Sequence, residues 1–152
     1  MRRTNLSDAP CPIARSLDEI GDWWTLLIVR DALRGSRRFS DFQKNLGLAR
    51  NILSARLKQM MANGLLEQRP AEDGGAHSEY HLTDKGVRLR LVMAALRQWG
   101  EDNLFDDDEP SNMMVETTTG RPIGRLHLTS EDGRPLRLDE VSIVSRATSH
   151  EQ

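Results

Sequence analysis

Four polar side chains recur along a short stretch of the sequence at spacings that place them on one side of a helix: Arg50, Asn51, Ser54 and Lys58. Arg and Asn side chains can each form two hydrogen bonds at once with the edge of a guanine or an adenine. Ser54 is small enough to permit a close approach between the helix and its partner. The pattern therefore predicts a helix face that contacts base edges in the major groove of DNA.

The apolar residues of the same stretch fall on the opposite face of the predicted helix. At about 100° per residue, Ala49, Leu53, Leu57 and Met60 cluster within roughly 80° of a helical wheel. Arg56 falls beside this stripe, so we expect it to pack or to form an ion pair rather than to contact bases. Because many amphipathic helices are ordinary solvated surfaces, the neighbouring elements must support the assignment.

Two adjacent cations, Arg37 and Arg38, precede a shorter predicted helix that begins at Phe39. Together with Ser40 in its first turn, they are predicted to bind a DNA phosphate, which free backbone N–H groups at a helix N-terminus also attract. Ser40 and Gln43 have the spacing of a capping box, which predicts where this helix begins.

A hairpin is predicted downstream, with its turn at residues 73–75. His77 and Arg69 are its candidates for contacts with phosphate or with the minor groove. Glu72 and Asp73 lie at its tip, where phosphate would repel them. We therefore do not expect the hairpin to insert deeply into a groove.

Residues that could support catalysis or bind a metal are few. The histidines have no metal-ligand spacing, and the single cysteine, Cys11, excludes both an internal disulfide and a multi-cysteine zinc site. The sequence also lacks a phosphate-cradling glycine loop and a nucleophile elbow. We therefore predict no catalytic residues, no metal and no cofactor. The four histidines are His77, His81, His127 and His150.

Hydrophobic periodicity predicts the elements that position these side chains. Four helices, a hairpin and a last long helix capped by Thr83 are expected, over residues 13–20, 24–33, 39–46, 49–63, 65–69 with 78–82, and 83–104. Two short helices joined by a tight turn, followed by a hairpin, are typical of a winged helix-turn-helix. The predicted fold class is α+β and mainly α.

The character of the chain changes beyond residue 105. Residues 106–112 are predicted to form an acidic linker, because like charges repel one another and proline stops a helix. Residues 113–152 are expected to be a small β-rich extension of the domain at 1–105. Two or three small strands are predicted there, in the segments Met114–Thr119, Ile123–Thr129 and Leu136–Val144.

Charge is distributed unevenly along the sequence. Residues 1–60 contain 11 Lys and Arg against 6 Asp and Glu, whereas residues 101–152 contain 5 against 12. This distribution predicts an anionic partner for the first half of the chain. No run of about 18 apolar residues or secretory leader is evident, so we expect a cytoplasmic protein without a membrane partner.

The chain resembles the HxlR-type bacterial transcriptional regulators. The segments that carry the resemblance span about residues 11–100 and are Cys11–Ile13, Leu17–Asp31, Gly35, Arg38–Phe42, Ile52–Leu57, Gly64–Leu66 and Tyr80–Gly86. The resemblance implies a dimeric, cytoplasmic, winged-helix repressor or activator that is distantly similar to MarR-type regulators. The acidic hairpin tip departs from this pattern, and the residues after Pro110 lie outside it.

A second apolar stripe lies on the last long helix. Its members are Leu89, Val92, Leu96 and Trp99, which recur at three, four and three residues. This exceeds what one small domain needs for its core, so we expect a two-fold homodimer built on the terminal helices. A double-stranded operator would then be a near-palindrome with half-sites roughly 34–36 Å apart.

Cys11 precedes Pro12 at the entry to the first helix. The resemblance implies redox sensing here, because some members of the family use a cysteine at this position to sense oxidants or electrophiles. The positive end of a helix dipole stabilises a thiolate and raises its reactivity. The alternative is a small buried residue with a packing role, since free cysteine is among the most buried residue types.

Two function classes remain open from the sequence. The first is a sequence-specific DNA-binding regulator, a repressor or a dual regulator, that responds to a chemical or redox signal. The second is a protein-interaction or small-molecule-binding module on the same scaffold without specific DNA binding. The polar face at residues 50–58 favours the first, because a protein-binding helix more often presents apolar side chains.

Overall fold

The computed structural model describes residues 5–106, 108–109 and 111–144 of the chain. Its helices and strands are α1 (Pro12–Ile20), α2 (Trp23–Leu33), α3 (Phe39–Leu46), α4 (Arg50–Ala62), β1 (Leu66–Pro70), β2 (Ser78–Leu82) and α5 (Asp84–Leu104). This order confirms the predicted α+β, mainly α, winged-helix class. His150 and the rest of residues 145–152, with residues 107 and 110 of the predicted linker, lie outside the described residues.

Helix α2 begins one residue earlier than the hydrophobic pattern predicts, because Asp22 caps it. One carboxylate oxygen of Asp22 accepts the Thr25 N–H at 3.0 Å, and the Thr25 hydroxyl donates to the other at 2.6 Å. An N-terminal cap of this kind stabilises a helix by about 1 kcal/mol. The cap therefore determines where α2 starts.

The chain forms two compact units, Met1–Leu96 and Arg97–Gln152. In the first unit, α2, α3 and α4 pack around a shared core that also contacts the hairpin. The largest fully buried side chains are Ile28, Val29, Phe42, Leu53, Leu57, Met60 and Leu65. The predicted apolar stripe of α4 is thus confirmed at three of its four positions. The fourth is wrong, because Ala49 is exposed and forms the N-cap of α4.

The hairpin joins α5 through a tight junction. Thr83 caps α5 as predicted, since its hydroxyl accepts the Gly86 N–H at 3.1 Å. The Thr83 hydroxyl also donates to the Gly64 carbonyl at 2.5 Å. A Cβ placed on Gly86 would lie 2.2 Å from the Leu65 carbonyl oxygen, closer than any real contact. Only glycine therefore allows α5 to approach the backbone at residue 65.

In the second unit, the last turns of α5 bind the chain that follows. The Gln98 amide donates to the Leu126 carbonyl at 2.9 Å and accepts the Leu126 N–H at 2.8 Å. Arg125 donates to Asp102 at 2.7 Å. The two Gln98 hydrogen bonds satisfy the backbone N–H and C=O of Leu126, which does not belong to a strand.

The strands predicted for the extension do not form within residues 111–144. Two isolated β-bridges are found there instead, Val115 with Pro122 and Thr129 with Pro135. Glu116 explains the difference in the first segment, because its carboxylate accepts the hydroxyls of Thr118 and Thr119. These contacts turn the chain where a strand was predicted. In the last segment, Leu138–Glu140 forms a 3-10 helix in place of a strand.

Candidate nucleic-acid interface

Helices α3 and α4 form a helix-turn-helix with a three-residue turn. Gly47 closes α3 in the left-handed backbone region, with φ 64°, where a residue without a side chain is favoured. Leu48 is buried in the core, which fixes the turn against the domain. Ala49 is the N-cap of α4, which begins at Arg50. The turn therefore holds α4 in a fixed orientation relative to α3.

The exposed face of α4 carries all four polar residues that the sequence predicts for base contact. Arg50, Asn51, Ser54 and Lys58 are exposed, and Leu53, Leu57 and Met60 are buried on the other side. The arrangement presents donors and acceptors to a partner without uncovering the core. It is suited chemically to hydrogen bonding with base edges and phosphates.

Two contacts at the ends of this face set the positions of arginine side chains. The Arg50 guanidinium lies 5.3 Å from the centre of the Phe39 ring, within the range of a cation–π contact. Arg56 forms an ion pair with Asp22 at 3.4 Å, which confirms the structural role predicted for it. The Phe39 ring of α3 therefore helps to position the Arg50 side chain, and the Arg56 ion pair connects α4 to the N-cap of α2.

Arg37 and Arg38 serve different parts of the fold. The Arg37 guanidinium donates to the Ala32 carbonyl at 2.7 Å and to the Ser36 carbonyl at 3.0 Å. Ala32 lies in the last turn of α2, where carbonyls lack helical partners, and Ser36 lies in the loop that follows. Arg37 is thus engaged within the fold, whereas Arg38 is exposed and remains the candidate for the predicted phosphate contact.

The start of α3 differs from the predicted capping box. Arg38 is the N-cap, and the Asp41 carboxylate accepts the Arg38 backbone N–H at 3.1 Å. The Ser40–Gln43 box is therefore wrong, because the cap lies two residues earlier than Ser40 and an aspartate in the first turn supplies the acceptor. Ser40 is exposed in that first turn, as its predicted position required.

The antiparallel hairpin of β1 and β2 forms the wing beside α3. Leu66 pairs with Leu82 and Pro70 with Ser78. The Tyr80 N–H donates to the Arg37 carbonyl at 2.7 Å, so β2 also holds the backbone just before α3. His77 is exposed at the end of the loop that connects β1 and β2, residues 71–77.

Arg38 is bound by two carboxylates of the wing, an interaction that sequence reasoning missed because Arg38 and Asp73 are 35 positions apart. The Arg38 guanidinium donates to Asp73, and its Nε lies 3.7 Å from Glu79. The hydrogen bond and the charge of Asp73 raise the pKa of Arg38. The Gly75 N–H, followed by Arg38, lowers the pKa of Asp73. Both groups are therefore charged at neutral pH.

Arg69, the other hairpin cation, pairs within its own strand. Its Nε donates to Glu67 at 2.8 Å. The two residues are two apart in β1, so they lie on the same face of the strand. Binding a phosphate would require Arg69 to exchange this partner.

Cys11 is exposed at the N-cap of α1, where its side chain makes no capping hydrogen bond. The neighbouring Arg15 guanidinium donates to the Ala9 carbonyl at 2.6 Å. Arg15 is thus engaged by the segment that precedes α1. The exposure of Cys11 does not fit the alternative of a buried packing residue within this chain.

The four residues predicted for dimer contact on α5 differ in their exposure. Leu89 is half-buried against the core of its own unit. Val92, Leu96 and Trp99 are exposed along α5, at 43%, 48% and 58%. Leu91, which the sequence pattern did not single out, is exposed by 66%.

A groove of about 940 Å³ lies between residues 5–7, α1 and α4. Five of its eleven described lining residues are charged, namely Arg15, Asp18, Glu19, Asp22 and Arg56. Several of them are already paired, such as Arg56 with Asp22 and Glu19 with Lys85. The groove therefore offers little unsatisfied charge to a ligand.

Other site types find little support. Within residues 5–106, 108–109 and 111–144, no cluster of three or more His, Cys, Asp or Glu side chains could hold a metal ion. In the same part of the chain, no helix has the length and apolar character needed to cross a membrane.

The fold and the exposed face of α4 define a winged helix-turn-helix protein. The sequence matches the HxlR-like helix-turn-helix family over residues 19–108, and the chain belongs to that family. It is a transcriptional regulator with an HxlR-type helix-turn-helix domain.

The known proteins that resemble this chain match it over different lengths. The uncharacterized helix-turn-helix transcriptional regulator Rv3095 of Mycobacterium tuberculosis is 36% identical over 108 residues, which are 71% of this chain and 68% of that protein. The crystal structure of PA1607, described as a candidate transcription factor, is 48% identical with a TM-score of 0.86, and the match covers 94% of this chain and all of PA1607. The oxidized redox regulator HypR is 26% identical with a TM-score of 0.56 over 63% of this chain and all of HypR.

Proposed function

We propose that the protein is a dimeric, sequence-specific DNA-binding regulator whose α4 helix contacts base edges in the major groove. The observation that carries this proposal is the division of α4, with Arg50, Asn51, Ser54 and Lys58 exposed and its apolar stripe buried. An exposed face of donors and acceptors matches the hydrogen-bonding pattern of the major groove. Arg38 and His77 lie on elements that flank α4 and are proposed to contact phosphates.

Selection of bound fragments from a library of random duplex DNA tests this proposal. The purified protein is expected to enrich one motif over repeated rounds. The double variant Arg50→Ala with Asn51→Ala is expected to lose that enrichment while it keeps its helical content by circular dichroism. Failure of the wild-type protein to enrich any motif would contradict the proposal.

The exposed apolar residues of α5 support the dimer. Leu91, Val92, Leu96 and Trp99 are large side chains that water contacts in the single chain. Burying them against a second copy is favourable by about 25 cal/mol per Å² of apolar surface. Ile13 and Leu17, exposed on α1, are apolar residues of the other terminal helix and belong to the same proposed interface.

The exposed thiol of Cys11 supports a response to oxidants or electrophiles. HypR, a relative in fold, is named as a redox regulator. With one cysteine per chain, a reversible switch requires a disulfide between two protomers or a cap from a small thiol. Either product would alter the N-terminal helices and the separation of the two α4 helices.

Treatment with diamide, followed by reductant, tests the role of Cys11. We expect the wild-type protein to change its affinity for selected duplex DNA on oxidation and to recover it on reduction. The Cys11→Ser variant is expected to bind equally before and after treatment. Wild-type binding that is unchanged by diamide would contradict a sensing role.

A further inference from the structure

The wing holds Arg38 in a network of opposite charges. Asp73 at the wing tip accepts a hydrogen bond from the Arg38 guanidinium, and Glu79 of β2 lies 3.7 Å from Arg38 Nε. Glu79 is buried, with 7% of its surface exposed, whereas Arg38 and Asp73 are both exposed. His81 Nε2 lies 3.3 Å from the second oxygen of Glu79. The Glu79 carboxylate is thus fixed by its surroundings, whereas the Asp73 carboxylate is exposed and can exchange its arginine partner for water.

Backbone geometry aims the Asp73 carboxylate at Arg38. The Gly75 N–H donates to the other Asp73 oxygen at 2.9 Å, which closes the tip of the hairpin. Gly74 adopts φ 71°, a conformation that glycine favours and that lets the chain turn back. The turn therefore positions a negative charge at the place where a phosphate would bind Arg38.

We propose that Asp73 competes with DNA phosphate for Arg38 and thereby weakens the phosphate contact that Arg38 makes. The inference rests on the proposed function. A phosphate that binds Arg38 must displace the Asp73 carboxylate, and an exposed ion pair is weak enough to exchange. Glu79 is the positioning residue that keeps the guanidinium in place when Asp73 leaves.

The ion pair with Asp73 must break in every complex in which Arg38 binds a phosphate, so its free energy is subtracted from that contact. When α4 is seated on its own sequence, the remaining contacts hold a phosphate close to Arg38 and promote the exchange. On random DNA the complex is looser, and Asp73 retains Arg38 for more of the time. Asp73 therefore weakens binding to both kinds of DNA, and it does so most fully where the exchange is complete.

The test compares Asp73→Asn with Glu72→Gln on a random-sequence duplex, by fluorescence anisotropy at low salt. Glu72 is a matched control, because it is an exposed carboxylate one residue away and the ion pairs among the described residues do not include it. We expect Asp73→Asn to tighten binding by about threefold per half-site, as befits a weak exposed ion pair, and Glu72→Gln to have a smaller effect. On the selected duplex, the gain from Asp73→Asn should be at least as large as on random DNA, because the ion pair is broken more completely there.

The double variant Arg38→Ala with Asp73→Asn separates competition from simple charge repulsion. Arg38→Ala alone should weaken binding to every duplex and make the salt dependence shallower by about 0.9 for each phosphate that the variant no longer binds. In the Arg38→Ala background, Asp73→Asn should tighten DNA binding by no more than Glu72→Gln does. Equal effects of the two variants on random DNA, a smaller gain on the selected duplex than on random DNA, or a gain that persists without Arg38 would overturn the inference. Absence of any DNA binding by the wild type would contradict the proposed function itself.

Discussion

Asn51 lies exposed in the first turn of α4, where its amide can donate and accept at the edge of one base. We therefore expect Asn51→Ala to weaken binding to the selected duplex by about 1–3 kcal/mol and to relax the preference at one base pair. Binding to random DNA should change little. Titrations of selected and single-base-substituted duplexes measure both effects.

Gln59→Ala is the matched control on the same helix. Gln59 is exposed, but it hydrogen-bonds Asn63 at 2.9 Å and lines the groove toward α1. Its substitution should leave affinity for the selected duplex unchanged. If Asn51→Ala and Gln59→Ala bind the selected duplex with the same affinity, the assignment of the exposed α4 face to base contact is wrong.

Residue types and helical spacing were sufficient to predict the division of α4 and the ion-pair role of Arg56. They could not separate Arg37 from Arg38, because the separation depends on acceptors that only the fold brings near. The Ala32 carbonyl in the last turn of α2 engages Arg37, and the wing engages Arg38. Interactions between residues far apart in sequence leave no periodic signal along the chain.

Gly86 determines how α5 joins the wing at the scale of elements. Gly86→Ala would place a Cβ 2.2 Å from the Leu65 carbonyl and 2.9 Å from a Leu82 methyl. Backbone cannot yield as a flexible side chain does, so we expect the free energy of unfolding to fall by about 1–3 kcal/mol. Urea denaturation followed by circular dichroism measures this loss.

Gly100→Ala serves as the comparison within the same helix. An added Cβ at Gly100 would meet no atom within 4 Å, and alanine favours a helix by about 1 kcal/mol over glycine. Gly100→Ala should therefore stabilise the protein or leave it unchanged. Equal destabilisation by both variants would contradict the close approach at residue 65.

The elements differ in how well their patterns predict them. Helices α1 to α5 and the hairpin follow from apolar periodicity and turn residues, with ends displaced by a residue or so where a cap such as Asp22 intervenes. The extension after residue 112 departs from its predicted strands, because β-branched residues also suit turns when a neighbour such as Glu116 accepts their hydroxyls. The strand pattern there is short and lacks a sheet partner to reinforce it.

At the scale of the whole molecule, the exposed side chains of α5 predict a dimer at micromolar concentration. Light scattering should give twice the 17.2 kDa mass of one chain. Leu96→Glu should shift the protein to the monomer, because a carboxylate buried at an apolar interface is strongly unfavourable. Arg90→Glu, on another side of α5 and also exposed, should leave the dimer intact. A wild-type monomer under these conditions would contradict the proposed assembly.

Sequence-specific DNA binding is the central claim, and one ratio tests it against the alternative of an interaction module. The dissociation constants for the selected duplex and for a scrambled duplex of the same length and composition are measured at a single salt concentration. Because the polar face of α4 is proposed to contact base edges, we predict that the selected duplex binds more tightly by about a thousandfold or more. A ratio near one would contradict the account, since binding would then depend on phosphate charge alone.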